Sequence, residues 1–119
     1  MVRRARPNVL VVGPGADADR TFDTLYPYLR TPIIPWTPRN AREVPTGSFR
    51  TLVVRDVDSL TASQQEELVA LICRVGPDLQ IVSTAKVPIF PLVTRGRFLD
   101  RLYYQLNVVY IDLTDEHAG

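Results

Sequence analysis

A three-layer α/β sandwich around a five-stranded parallel sheet is the fold class that this chain predicts, on three observations. Five short runs rich in Val, Ile and Leu alternate with segments whose apolar residues recur at helical spacing. The clearest run, Val9-Leu10-Val11-Val12, is apolar at every position, which suits a strand covered on both faces. Gly and Pro fall between the runs, where turns are needed.

The 119 residues fit one domain spanning 1–119, with 1–7 and 114–119 expected to be flexible tails. Hydrophobic residues make up 45% and charged residues 23%, so a core can form without metals or disulfides. The net charge of +1 gives no strong field, which argues against nucleic acid despite Arg3, Arg4 and Arg6 near the start. No apolar run approaches the roughly 20 residues that span a bilayer. The one cysteine, Cys73, excludes an internal disulfide and points to a cytoplasmic setting; helical spacing places it on an apolar, core-facing side. His117 is the one histidine and lies in the expected tail, so neither a His-based triad nor a His-rich metal site is expected.

Taken in order, residues 8–12 form the first strand and 13–19 a turn in which Asp17 or Asp19 caps the next helix. Phe22, Leu25, Tyr26 and Leu29 make that helix's inward stripe, and Pro27 kinks or ends it. Residues 31–36 hold Pro32 and Pro35, which places this second strand at a sheet edge. A connection over 37–50 leads to a third strand at 51–54. Thr61 and Gln64 match a capping box, opening a helix whose buried face is Leu68, Val69, Leu71, Ile72 and Val75; Gly76-Pro77 stops it. Residues 79–84 are the fourth strand, and Pro88 and Pro91 break the loop after it. From Gly96, a helix with Phe98, Leu102 and Leu106 on one face and Tyr103 beside them leads into a buried fifth strand at 108–111.

Ligands on such sheets sit at the carboxyl ends of strands. Gly13-Pro14-Gly15 stands where a phosphate loop belongs, after a buried strand and before a helix. Against the pattern G-x-x-x-x-G-K-[ST], however, Ala18, Asp19 and Arg20 occupy the last glycine, lysine and hydroxyl positions, and Asp17 and Asp19 repel phosphate. The third strand ends in Arg55-Asp56-Val57-Asp58, an acidic ending that resembles a magnesium-holding Walker B strand.

The whole order of segments resembles the AAA+ ATPase core of bacterial sigma-54-dependent transcriptional activators, the sigma-54 interaction domain. Gly96-Arg97-Phe98, Leu102-Tyr103-Tyr104 and Leu106-Asn107-Val108-Val109 match that family's G-R-F-R-x-D-L-Y-Y-R-L-N-V-V segment. Thr51 to Leu60 resembles its T-L-F-L-D-E-V-x-x-L segment, and Ile81 to Lys86 falls where it has I-x-A-T-N. The resemblance implies a P-loop NTPase fold of AAA+ type with strand order 5-1-4-3-2. It also implies what this chain has exchanged. Asp19 stands at the phosphate-binding lysine, Arg55 at the magnesium-binding aspartate, Asp56 at the adjacent glutamate and Lys86 at the water-holding asparagine. Leu99 and Gln105 stand where two arginines are offered to a neighbouring subunit's nucleotide. The interval 37–50 is too short for the loop that contacts sigma-54, and G-A-F-T-G-A is absent.

The expectation is therefore a catalytically inactive AAA+-like domain, not an enzyme, with no cofactor and no metal. It would act as a protein-interaction or regulatory module in bacterial transcription or signalling, with an AAA+ or response-regulator partner or with itself. The alternative is a residual nucleotide-binding domain, with ATP and magnesium on Gly13, Pro14, Gly15, Asp19, Arg20, Asp56 and Lys86. A receiver-like phosphoacceptor at Asp56 ranks last, because such a domain wants an acidic pair directly after its first strand.

Overall fold

The computed structural model describes residues 6–114; Arg3, Arg4, His117 and the outer parts of both expected tails lie outside them. Five strands, β1 (Val9–Val12), β2 (Ile33–Trp36), β3 (Thr51–Val54), β4 (Gln80–Ala85) and β5 (Val109–Asp112), form one sheet. Its order is β2-β3-β4-β1-β5 with every pairing parallel, which is the expected 5-1-4-3-2 order read from the other edge. In register, Val9 lies between Val82 and Val109.

The alternation of side chains across β1 divides the core into two layers. Leu10 and Val12 join Leu52, Val54 and Ile81 beneath α2 (Ala62–Val75) and α4 (Asp100–Leu106). Val9 and Val11 join Val53 and Val82 beneath α1 (Gly15–Leu25), through Ala18 and Phe22. Three layers result, with one helix on one face and the remaining helices on the other. No helix among the described residues is long and apolar enough to cross a membrane.

The capping box of α2 forms as its residue types dictate: Gln64 N–H donates to the Thr61 hydroxyl, and Thr61 N–H to the Gln64 carboxamide. Gly76, with φ 79°, ends the helix. Gln65 is buried within this helix and holds the chain that enters α4. Its amide donates to the carbonyls of Leu60 and Arg97, and its oxygen accepts Leu99 N–H at 2.8 Å.

Several elements depart from expectation. Neither Asp17 nor Asp19 caps α1. Pro14, with extended ψ of 147°, is the N-cap, and Ala18 N–H closes the first turn on its carbonyl, so both aspartates lie inside the helix. Tyr26 belongs to the 3₁₀ turn Tyr26–Tyr28 that Pro27 induces after α1; it is exposed, although it stacks on Phe22. The loop after β4 contains a short helix, α3 (Phe90–Thr94), because Pro91 sits in its first turn, where a missing N–H costs nothing. The last helix begins at Asp100 instead of Gly96: Gly96 takes φ 74°, and Gln65 holds Leu99 extended. Phe98 is buried from this lead-in segment.

Cys73 is exposed, as is Val75, because α2 buries the narrower stripe of Gln64, Gln65, Leu68 and Leu71. Strand β5 is at a sheet edge and largely exposed, not buried.

Replacing Gln65 by Leu leaves one N–H and two carbonyls without partners at a buried junction. We expect a loss of about 2–4 kcal/mol in urea unfolding. Gln65→Glu keeps the acceptor for Leu99 N–H but sets a buried carboxylate oxygen against the Leu60 and Arg97 carbonyls, and is expected to lose at least as much at neutral pH.

Candidate functional site

The carboxyl ends of β1, β3 and β4 meet at a cleft of about 170 Å³ lined by Gly13, Gly15, Ala18, Asp19, Arg55, Asp56, Thr84, Ala85 and Lys86. This is smaller than the roughly 300 Å³ at which small-molecule pockets begin. Of the residues expected here, Gly13, Gly15, Asp19, Asp56 and Lys86 come together. Pro14 does not line the cleft. Arg20 is turned away, paired with Asp17 along the outside of α1.

Only two residues separate β1 from α1, so no arc of backbone wraps a phosphate position. Gly13 continues the sheet: its N–H donates to the Ala85 carbonyl at 2.9 Å. A Cβ added there would lie 2.7 Å from the Leu113 Cβ, so packing against the chain after β5 explains this glycine. Gly15 opens α1 with no neighbour within 4 Å of such an atom.

Arg55 extends the β2–β3 ladder through its N–H, which donates to the Trp36 carbonyl at 2.9 Å. Its guanidinium reaches across α1, pairs with the Asp19 carboxylate and lies 5.0 Å from the centre of the Phe22 ring. Asp19 and Phe22 are three apart on one helical face, so a single cation engages both. Asp56 takes the left-handed conformation, with φ 56° and ψ 56°, which Asp tolerates better than most residues. Its N–H donates to the Thr84 hydroxyl at 3.0 Å, and its carbonyl accepts from Ser59. Thr84 thus joins β4 to the turn after β3. The sequence placed Thr84 at the ligand-facing end of the fourth strand but assigned it no role, because a strand-end threonine carries no distinctive spacing.

Two carboxylates and two cations line the cleft, and their formal charges cancel. A polyphosphate needs an excess of cations and a ring of N–H donors, and magnesium needs free carboxylates. Here one carboxylate, Asp19, is already paired with Arg55. No group of three or more His, Cys, Asp or Glu residues suited to a metal occurs among the described residues.

The family profile for the sigma-54 interaction domain matches residues 39–115, a stretch that runs from before β3 through β5. The chain belongs to the sigma-54 interaction domain family. Arg55, Asp56 and Lys86 lie inside the matched stretch, while β1 and α1 precede it. Comparison with curated protein sequences gives no match.

Among solved structures, NtrX from Brucella abortus in complex with ATP is similar at TM-score 0.72 and 12% identity, over 92% of this chain and 32% of that one. Its complex with ADP gives 0.70 and 15%, over 91% and 32%. The P-loop NTPase domain of a sigma-54 transport activator from E. coli gives 0.60 and 18%, over 92% and 85%. The chain thus spans about a third of the NtrX chains it matches, and the likeness establishes the P-loop NTPase fold.

The two glycines are expected to respond oppositely to Ala. Gly13→Ala loses about 1–3 kcal/mol in chemical denaturation by overpacking against the Leu113 Cβ; Leu113→Gly, which removes that atom, relieves the overpacking, whereas Leu113→Ala, which keeps it, does not. Gly15→Ala is neutral or gains up to about 1 kcal/mol as a better helix former.

Proposed function

We propose that this member of the sigma-54 interaction domain family neither binds ATP productively nor hydrolyses it, and serves as a protein-interaction module in bacterial transcription or signalling. The Asp19–Arg55 ion pair carries this reading. By the family resemblance these positions hold a lysine for phosphate and an aspartate for magnesium. Here the charges are exchanged, and each pairs with the other at the partly solvated cleft.

Hydrolysis draws on a phosphate cradle, a metal ligand, a positioned water and a cation supplied in trans, and losing one such group typically costs several kcal/mol of transition-state stabilisation. At the corresponding positions stand Asp19, Arg55, Lys86, Leu99 and Gln105. What persists is core: Phe98, Leu102 and Leu106 remain buried between α2 and the sheet. A domain that keeps its packing and exchanges its site chemistry is suited to contact. Its partner class is an AAA+ protein, a response regulator or a further copy of itself.

A residual nucleotide site is the second reading. It draws on Gly15, which has open space beside it, and on Lys86, which makes no ion pair among the described residues. The two readings separate by calorimetry with millimolar ATP and magnesium, run beside a phosphate-release assay. We expect no saturable heat and no phosphate above the buffer rate. Turnover overturns the proposal. Binding without turnover, abolished by Gly15→Trp, selects the second reading.

A further inference from the structure

The two edges of the sheet are unlike. At β2, Pro35 stands within the strand and Pro32 directly before it, and proline cannot donate to an added strand. At the other edge β5 reads Val-Tyr-Ile-Asp, with no proline. Val109 N–H donates to the Asn8 carbonyl at 2.9 Å and Leu113 N–H to the Val12 carbonyl at 2.7 Å, so the odd-numbered residues face β1. Strand alternation then turns the N–H and C=O groups of Tyr110 and Asp112 outward, and no strand among the described residues pairs with them. The surface alongside is apolar. Val109 is 39% exposed, Tyr110 41%, Val108 61% and Tyr104 63%.

We propose that two copies of this chain join edge to edge through β5, antiparallel about a two-fold axis at Ile111, to form one continuous sheet. A two-fold axis perpendicular to the sheet keeps each face on its own side, so opposed residues share parity. With Ile111 opposite itself, Tyr110 meets Asp112 of the second copy, and Val109 meets Leu113. The outward groups of Tyr110 and Asp112 then exchange four backbone hydrogen bonds across the axis.

Side chains agree with this register on both faces. Val109, Ile111 and Leu113 lie on the α1 face, where Ile111 and Leu113 already pack against its core, and they form an apolar cross-strand stripe. On the other face each Tyr110 hydroxyl meets an Asp112 carboxylate instead of a like charge. Thr114 donates its N–H and its hydroxyl to Asp112 Oδ1, leaving Oδ2 free among the described residues. Those two bonds, the hydroxyl's first, hold the Asp112 carboxyl below its usual pKa. Burial, then Asp112 and Tyr103, raise that of Tyr110, so its hydroxyl remains a donor. The strand has four residues, so the association is weak and concentration-dependent. It does not depend on whether the cleft takes nucleotide.

Sedimentation of the full chain from about 10 to about 500 µM tests the proposal. Mass is expected to rise from monomer towards dimer. Tyr110→Pro removes an outward N–H and no β1 hydrogen bond, and is expected to hold the chain monomeric. In a Cys73→Ser background, Ile111→Cys sits at a non-hydrogen-bonded pair with Cα atoms about 4.5 Å apart, and is expected to cross-link as a dimer under mild oxidation. Tyr110→Cys in the same background is expected not to. A monomer at every concentration overturns the proposal, as does a dimer unchanged by Tyr110→Pro or cross-linking at 110 instead of 111. If Tyr110→Pro fails to fold, the cysteine pair decides.

Discussion

Strand β1 imposes the constraint from which the rest of the fold follows. It is apolar on both faces, and β4 and β5 hydrogen-bond to its two edges. A strand enclosed on four sides leaves little freedom at its exit. Gly13 must continue the ladder to Ala85 and clear Leu113, and the chain enters α1 two residues later. Its entry is fixed as tightly. The Asn8 side chain accepts Ile81 N–H at 2.7 Å and donates to the Gln105 carbonyl at 2.8 Å, joining β1 to β4 and to the end of α4.

The short exit decides what the cleft can do. With no backbone arc over it, electrostatics at the strand ends falls to side chains. Arg55 is placed by the ladder from Trp36 and covers α1 by pairing with Asp19 and lying over Phe22. The pair is partly solvated, so it contributes on the order of 1 kcal/mol at most, and the ring contact a similar amount. Its larger consequence is positional. On the proposed reading, a cation and a carboxylate that neutralise each other at the cleft leave little net charge to draw phosphate or magnesium from solution. The match to the sigma-54 interaction domain covers Arg55 but begins after Asp19.

The sheet was legible because its signals are local and redundant. Unbroken runs such as Val9-Leu10-Val11-Val12, the prolines of β2 and the Thr61–Gln64 capping box each carry a mechanism that tertiary context does not overturn. Strand order came from family resemblance, since periodicity does not specify which strands pair. Errors fell where a distant group decides. A buried glutamine one turn into α2 holds Leu99 extended and delays α4 to Asp100. Helical spacing put Cys73 towards the core, but α2 buries two glutamines on its inner side and a narrower apolar stripe. In the cleft, the clash of residue types with a phosphate loop was readable, but the Asp19–Arg55 contact was not. The two residues are 36 apart, and nothing in the sequence records that α1 and the end of β3 meet.

Charge reversal at this pair measures whether Asp19 and Arg55 hold each other in the cleft. Denaturant unfolding would compare Asp19→Lys, Arg55→Asp and the double exchange. Each single reversal is expected to destabilise by bringing like charges together, and the double variant to recover the electrostatic part of the combined loss but not the Arg55–Phe22 contact. Losses that simply add would show that Asp19 and Arg55 do not interact, and would contradict a cleft closed by its own ion pair.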